Sequence, residues 1–272
     1  MLTLAGQLGG RAVAAVERFG DFSLFCGQTV TWIGRSIRRG RGFALIPPQL
    51  FEIGTRSLPV VMVTGLFVGM VLAVQSVAQF KALGMVDRMG FIVTLSVLRE
   101  LGPVLGAVML AGRVGGGLTA ELGTMRVTEQ IDALRALGAS PIRVLVVPRF
   151  LACLILTPLL TIYADFMGIF GAYGISALVY DVNAAEFWRY AANQLRYYDI
   201  FYGLAKSLFF GVALGLICCH KGFRCSAGAA GVGRACTQAF VASCMAILAL
   251  NLILGILLNT IEEQFFGLRL IM

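Results

Sequence analysis

Long runs of apolar residues dominate this sequence, and short segments between them carry most of the polar and charged residues. A helix needs about 20 residues to cross the ~30 Å hydrocarbon core of a bilayer. Runs of this length predict five membrane-spanning helices, at about 57–80, 89–112, 150–178, 201–219 and 238–260. The third run is longer than an upright span and is expected to tilt, kink or extend past the hydrocarbon. The predicted fold class is an all-α membrane protein.

Residues 1–56 are less apolar and form a region separate from the transmembrane region 57–272. A cleavable signal peptide is not predicted, because no uninterrupted apolar core follows a basic start. Apolar residues near its beginning recur at near-helical spacing, which predicts an amphipathic helix on the membrane surface: Leu4, Leu8, Val16, Phe19 and Phe22. Pro47 and Pro48 are expected to break the chain before a second interfacial piece that reaches Arg56.

The charge of the connecting segments predicts the orientation of the chain. Only 13% of the 272 residues are charged, against roughly a quarter in soluble domains, yet the net charge is +8. Lys and Arg number seven, five and three in segments 1–56, 113–149 and 220–234, and two, two and one in segments 81–88, 180–200 and 261–272. Because basic segments stay in the cytoplasm, the N-terminus is predicted inside and the C-terminus outside.

Metal and nucleotide sites are not expected in this chain. The seven cysteines form no CxxC pair and show no ligand spacing with the single histidine. Glycines near the start of the fifth span, Gly228, Gly231 and Gly233, lack the GxxxxGK[ST] pattern of a phosphate-binding loop.

The segment 112–141, between the second and third spans, is too polar to cross a membrane. Thr128 is expected to cap a short helix there, and Gly138 with Pro141 to end it. One face of this helix is apolar and consists of Ile131, Leu134 and Leu137. Periodicity leaves two interpretations open. The face either docks into a groove of a partner protein or packs on the cytoplasmic side of its own chain.

Several motifs resemble those of the MlaE/YrbE family of ABC transporter permeases. They are Leu98-Arg-Glu-Leu-Gly-Pro-Val, Ala111-Gly-Arg-Val-Gly-Gly-Gly-Leu-Thr-Ala-Glu-Leu-Gly-Thr-Met, Thr128-Glu-Gln-Ile-Asp-Ala-Leu and Pro148-Arg-Phe. The resemblance covers about residues 50–260, as far as Gly211 and the 231–234 region. It implies a homodimer of five-span subunits in the bacterial inner membrane, with a cytoplasmic ABC ATPase and a periplasmic MCE-domain protein as partners.

The resemblance also implies a function and a coupling helix. Such permeases move phospholipids or other lipids between the inner and outer membranes, and the partner ATPase, not the permease, uses ATP. The polar helix between spans two and three then becomes the coupling helix. Its expected ATPase contacts are Glu129, Gln130, Ile131, Asp132, Leu134 and Leu137.

Four charged residues fall inside the predicted spans: Arg99, Glu100, Asp165 and Lys206. A charge in hydrocarbon costs about 2.5–3.5 kcal/mol, so such residues normally face protein or water. The resemblance places Arg99, Glu100 and Lys206 in a substrate cavity that holds the lipid headgroup. The alternative is a set of structural ion pairs, for example Arg99 with Asp165. Lys206 lies nearer the outer end of its span, from which it is able to snorkel to the interface.

Two other classes of function compete with this interpretation. In an energy-independent or ion-coupled transporter, Arg99, Glu100 and Asp165 would form a relay. In an intramembrane serine protease, His220 would act as the base and Ser226 as the nucleophile. The protease is disfavoured because two residue types alone do not make a catalytic triad.

Overall fold

The computed structural model describes residues 2–39, 45–82, 84 and 88–266, and within these residues the protein is built from helices joined by short turns. In chain order the helices are α1 (Leu2–Arg39), α2 (Ile46–Ala82), α3 (Met89–Val127), α4 (Gln130–Ala136), α5 (Ile142–Tyr180), α6 (Ala184–Gln194), α7 (Tyr197–Phe223) and α8 (Ala229–Phe266).

The five predicted spans are confirmed as α2, α3, α5, α7 and α8, the helices long and apolar enough to cross a membrane. Each is longer than the apolar run that predicted it. Helices α3 and α5 contain 39 residues each, or about 58 Å at ~1.5 Å per residue, which exceeds the hydrocarbon thickness. Their ends therefore extend beyond the apolar layer and carry polar residues that the run lengths alone assigned to loops.

Helix α2 begins earlier than predicted and runs without interruption through Arg56. The second interfacial piece is therefore not a separate element, and this prediction was wrong. Pro47 and Pro48 lie in the first turn of α2. The first N–H groups of a helix have no intrahelical acceptor, so prolines are tolerated there and start the helix.

Helix α3 contains two wide π-helical turns, Val97–Leu101 and Ala111–Gly115. Pro103 follows the first of them and has no N–H to donate to the carbonyl four residues earlier. The N–H of Gly102 instead reaches the carbonyl of Val97, five residues back. The first wide turn thus lies where proline interrupts the regular hydrogen-bonding pattern.

The segment after α3 turns sharply into the short helix α4. Thr128 does not cap α4 as predicted, because its hydroxyl donates to the Thr124 carbonyl at 2.8 Å and so belongs to the end of α3. Glu129 makes the turn with a φ of 58°. The predicted end of α4 is confirmed at Gly138, whose φ is 75°. Its N–H donates to the Arg135 carbonyl at 2.9 Å, as in a Schellman motif.

Helices α2 and α5 pack with their backbones in close contact. A Cβ added at Gly69 would overlap the carbonyl of Gly168, and one added at Gly171 would overlap the carbonyl of Leu66. Gly168 and Gly171 thus allow the close backbone approach that small residues give between membrane helices. Gly174 has no such role, because nothing lies within 4 Å of a Cβ added there.

Helix α1 packs against the end of α7 through Phe25, which is buried. Phe22 and Phe25 each meet the ring of His220 edge-on, with centroids 5.2 and 5.3 Å apart. Val16 and Phe19 are exposed. The side chains of Leu4 and Leu8 lie outside the described residues, so the amphipathic character of α1 stays a prediction.

Candidate functional site

A cluster of charged side chains joins α3, α7 and α8 inside the bundle. Arg99 of α3 donates from Nε to Asp199 Oδ1 of α7 at 2.7 Å and from Nη2 to Glu262 Oε1 of α8 at 2.9 Å. Asp199 is fully buried and Glu262 nearly so. One guanidinium therefore holds the ends of two spans, in the kind of charge-assisted pairing that makes a buried charge tolerable.

The start of α7 positions Asp199 for its ion pair with Arg99. Asp199 lies in the first turn of α7, where its Oδ2 accepts a hydrogen bond from the Arg196 N–H at 2.8 Å, as in a capping box. The other oxygen is left for Arg99. The Asp199 carboxylate thus caps the first turn of α7 and also pairs with Arg99.

Glu100, the neighbour of Arg99 on the wide turn, forms the second half of the cluster. Lys206 of α7 donates from Nζ to Glu100 Oε1 at 2.6 Å, and Asn251 of α8 donates from Nδ2 to Glu100 Oε2 at 3.1 Å. Lys206 is fully buried. The predicted snorkelling of Lys206 is therefore wrong: an ion pair with a neighbouring helix satisfies its charge without reaching the interface.

Tyr202 lies between the two cations. The Arg99 guanidinium carbon is 4.8 Å and the Lys206 Nζ 4.6 Å from the centroid of its ring. Its hydroxyl donates to the Gly255 carbonyl of α8 at 3.4 Å. The ring face attracts both cations, which partly offsets their mutual repulsion. Tyr202 thus links the two halves of the cluster.

The cluster opens to its surroundings mainly through Glu100, whose side chain is 46% exposed, whereas that of Arg99 is 15% exposed. Three carboxylates face two cations: Glu100, Asp199 and Glu262 against Arg99 and Lys206. Of the three predicted cavity residues, Glu100 has the most accessible side chain.

Asp165 lies apart from this cluster. Arg99 does not pair with it, which corrects the ion pair considered from the sequence, because Asp199 and Glu262 occupy the guanidinium. Asp165 is buried, and its Oδ1 has no hydrogen-bond partner among the described residues. That oxygen lies against Gly102, where an added Cβ would overlap it. No contact in the described structure connects Asp165 to Arg99 as a relay would require.

Sequence reasoning missed the partners of the predicted residues, namely Asp199, Tyr202, Asn251 and Glu262. Asp199 and Glu262 fell in segments assigned to external connections, because the fourth apolar run begins after Asp199 and the fifth ends before Glu262. The helices that carry them continue beyond those runs. One signal was available for Asp199, since its spacing from Arg196 fits a helix start.

Helix α4 is anchored to the bundle on one side and exposed on the other. Ile131 is fully buried with Leu122 and Phe25, so it belongs to the contact of α4 with its own chain rather than to an outward surface. Leu137 is 81% exposed. Asp132 forms ion pairs with two arginines, with Arg126 at 2.6 Å and with Arg135 at 2.9 Å. The remaining predicted contact residues divide into a partly buried one, Leu134, and exposed ones, Glu129 and Gln130.

His220 does not form a catalytic pair with Ser226. Its ring packs between Phe22 and Phe25, and its Nε2 has no hydrogen-bond partner in the part of the chain that the structure describes. A serine nucleophile requires a base within hydrogen-bond reach. The observed surroundings are those of a packed histidine at a helix end.

Comparison with known proteins agrees with the motifs and the geometry. The family described as "Permease MlaE" matches residues 46–257. A probable ABC transporter permease protein of Rickettsia bellii is 40% identical over 98% of this chain and 99% of its own. The intermembrane phospholipid transport system permease protein MlaE of Haemophilus influenzae is 36% identical over 78% of this chain and 82% of its own. With five spans and a buried charged cluster at the motif Arg99-Glu100, the chain belongs to the MlaE permease family.

Proposed function

We propose that this chain is the inner-membrane subunit of an ABC transporter that moves phospholipids between the inner and outer membranes, driven by an ATPase on a separate polypeptide. The name of the Haemophilus relative supports phospholipid as cargo. The names of the Rickettsia and Haemophilus relatives support a transport subunit rather than an enzyme. ATP is then a cofactor of the partner, and this chain binds none.

The observation that carries the proposal is the charged cluster of Arg99, Glu100 and Lys206. A phospholipid headgroup combines a phosphate with a second polar group, and both need partners once they leave water. Glu100 offers a half-exposed carboxylate held by Lys206 and Asn251, and Asn251 has an Oδ1 without a partner among the described residues. Asp199 and Glu262 hold Arg99 in place beside it.

A crosslinking experiment tests the headgroup role of Glu100. We expect Glu100→Gln to reduce crosslinking of a photoactivatable phospholipid to the full chain by about tenfold, since one charge-assisted contact is lost. Glu52→Gln, which removes an exposed carboxylate on α2, is the matched control and should leave crosslinking unchanged. Unchanged crosslinking together with a lower Tm in Glu100→Gln would show that the cluster stabilises the fold and does not contact the lipid.

The proposed coupling to the ATPase uses both sides of α4. The exposed side, with Leu137, Gln130 and Glu129, is available to a groove on the ATPase. The buried side, with Ile131, contacts the bundle. Movement of the ATPase would reach the spans through this anchored helix, because a rigid short helix transmits displacement rather than absorbing it.

Further partners are proposed from the same family assignment. A second copy of the chain, as in a homodimer, would cover α8 near the cluster, where Leu248 and Leu252 are exposed next to Asn251. A periplasmic MCE-domain protein would receive or deliver the lipid. The distribution of Lys and Arg supports an N-terminus in the cytoplasm and a C-terminus in the periplasm.

The ion-coupled alternative is distinguished by its energy source. In vesicles that contain the chain with its co-purified ATPase, lipid transport should stop when ATP is withheld. Transport at full rate without ATP, sustained by an ion gradient, would favour the alternative. The separation of Asp165 from Arg99 argues against a relay through these residues.

A further inference from the structure

A second polar site lies at the opposite end of the bundle from the charged cluster. A cavity of about 490 Å³ opens between α1, the end of α7 and the start of α8. Its volume falls within the ~300–1,000 Å³ typical of small-molecule sites. The charged residues of its lining are Arg18, Asp21, Lys221, Arg224 and Arg234, so four cations face one carboxylate.

The single carboxylate of this cavity is already engaged. Arg224 Nη1 lies 2.7 Å from Asp21 Oδ2, and this pair ties α1 to the end of α7. Lys221 and Arg234 take part in no ion pair within the described residues, and Lys221 Nζ reaches only the neutral Gln238 side chain, at 3.4 Å. The fold therefore holds like charges around one space, an arrangement that a bound anion would stabilise.

The start of α8 adds to the positive potential of the cavity. Gly231, in the first turn of this 38-residue helix, belongs to the cavity lining. The N-terminal end of a long helix carries a partial positive charge and favours bound anions. Helix end and basic side chains thus attract the same kind of ligand from different sides.

The position of the cavity indicates where that anion comes from. Val16 and Phe19 are exposed on α1 beside Arg18 and are 72% and 73% accessible. Exposed apolar side chains next to cations are typical of helices at the level of lipid headgroups. Basic pockets between spans at this level are suited to anionic headgroups. We propose that this cavity binds the phosphate of an anionic glycerophospholipid of the surrounding leaflet.

This site is separate from the proposed cargo site. Asp199 and Lys221 lie on the same helix, 22 residues apart, which corresponds to about 33 Å along its axis at ~1.5 Å per residue. The charged cluster and the basic cavity are therefore near opposite membrane surfaces. A lipid held here would stabilise the contact of α1 with α7 and α8, and its binding does not require that the chain transports lipid.

Purified full-length chain in nanodiscs tests this lipid site. Nanodiscs of phosphatidylcholine with phosphatidylglycerol should raise the Tm above that in phosphatidylcholine alone. Native mass spectra should show bound phosphatidylglycerol retained. In the double variant Lys221→Gln/Arg234→Gln both effects should fall, with retention reduced by at least about tenfold, since two charged contacts are lost.

The matched control removes two exposed cations far from the cavity, Lys81→Gln/Arg189→Gln, and should keep both effects. An equal Tm in the two lipid compositions, or a phosphatidylglycerol effect that survives in Lys221→Gln/Arg234→Gln, would overturn the proposal. Stabilisation by millimolar inorganic phosphate in pure phosphatidylcholine would show that the cavity binds the free ion, and it would overturn the proposal that the ligand is a lipid. A double variant that loses only ATPase binding would identify a protein contact instead.

Discussion

Asp165 and Asp199 are both buried aspartates, but among the described residues only Asp199 meets a cation. The difference comes from the helices that face them: Arg99 reaches Asp199 and Glu262, while Asp165 lies against Gly102. Removing one partner of a buried ion pair leaves the other charge without compensation. The energetic consequences of neutralising the two aspartates should therefore differ.

Asp199→Asn should destabilise the protein by about 3 kcal/mol, the lower end of the range for breaking a buried pair, because Glu262 still contacts Arg99. Asp165→Asn, which removes no ion pair, should change stability by less than ~1 kcal/mol. Thermal unfolding of both variants in the same detergent measures the difference. Equal losses would mean that Asp165 has a charged partner that this conformation does not contain.

At the scale of elements, close helix packing and the anchoring of α4 depend on single positions. Gly69 lets α2 approach the carbonyl of Gly168, while Gly174 on α5 faces open space. Ile131 of α4 and Leu137 directly after α4 are both apolar, yet Ile131 is fully buried and Leu137 is exposed. Residues of the same type therefore differ in role according to whether they face the bundle or the outside.

Gly69→Ala should cost at least about 1–3 kcal/mol, because the added methyl group forces α2 and α5 apart. Gly174→Ala should be neutral or stabilising by up to ~1 kcal/mol, since alanine favours the helix and meets no neighbour. The Tm of each variant in detergent checks this. A similar loss in both would show that the open space at Gly174 is filled in the membrane.

Ile131→Ala should destabilise the chain by about 2–5 kcal/mol, as expected for a truncated buried side chain. Leu137→Asp should leave the Tm unchanged and reduce the amount of ATPase that co-purifies with the chain, because it places a charge on the exposed apolar side of α4. Undiminished co-purification of the ATPase with Leu137→Asp would contradict a contact at this position.

The whole molecule has two chemically different ends. One carries α1, α4 and the basic cavity, and the other carries α6 and the ion pairs of Arg99. Membrane insertion favours basic segments on the cytoplasmic side. With five spans, we therefore expect the loop between α7 and α8 inside and the loop between α5 and α6 outside.

A protease site inserted after Ala227 should resist protease added to spheroplasts, while one inserted after Asp181 should be cut. Inside-out vesicles should give the reverse result. The expected pattern follows from an odd number of spans and the excess of basic residues in segments 1–56, 113–149 and 220–234. Cleavage after Ala227 in spheroplasts would show that the orientation is the reverse of the expected one. Helix α4 would then lie on the side opposite to a cytoplasmic ATPase.

The class of the protein, its five spans and its charged residues within the spans could be predicted from the amino-acid pattern alone. Apolar run length and the cost of a charge in hydrocarbon are local properties, so Arg99, Glu100 and Lys206 were recognisable without coordinates. The helix ends were harder to predict, because α2, α7 and α8 continue through polar residues. Asp199 and Glu262 pair with Arg99 of another helix, and Glu52 pairs with Arg56 of α2 itself.

The pairing of the charged residues, in contrast, depends on how the helices pack. Asp199 and Glu262 are 100 and 163 residues from Arg99 in sequence, and no local pattern specifies such pairs. Helix packing brings them together, buries Ile131 and exposes Leu137, and it brings no cation of the described residues to Asp165. These outcomes depend on the relative rotation and height of whole helices, which many weak contacts fix jointly.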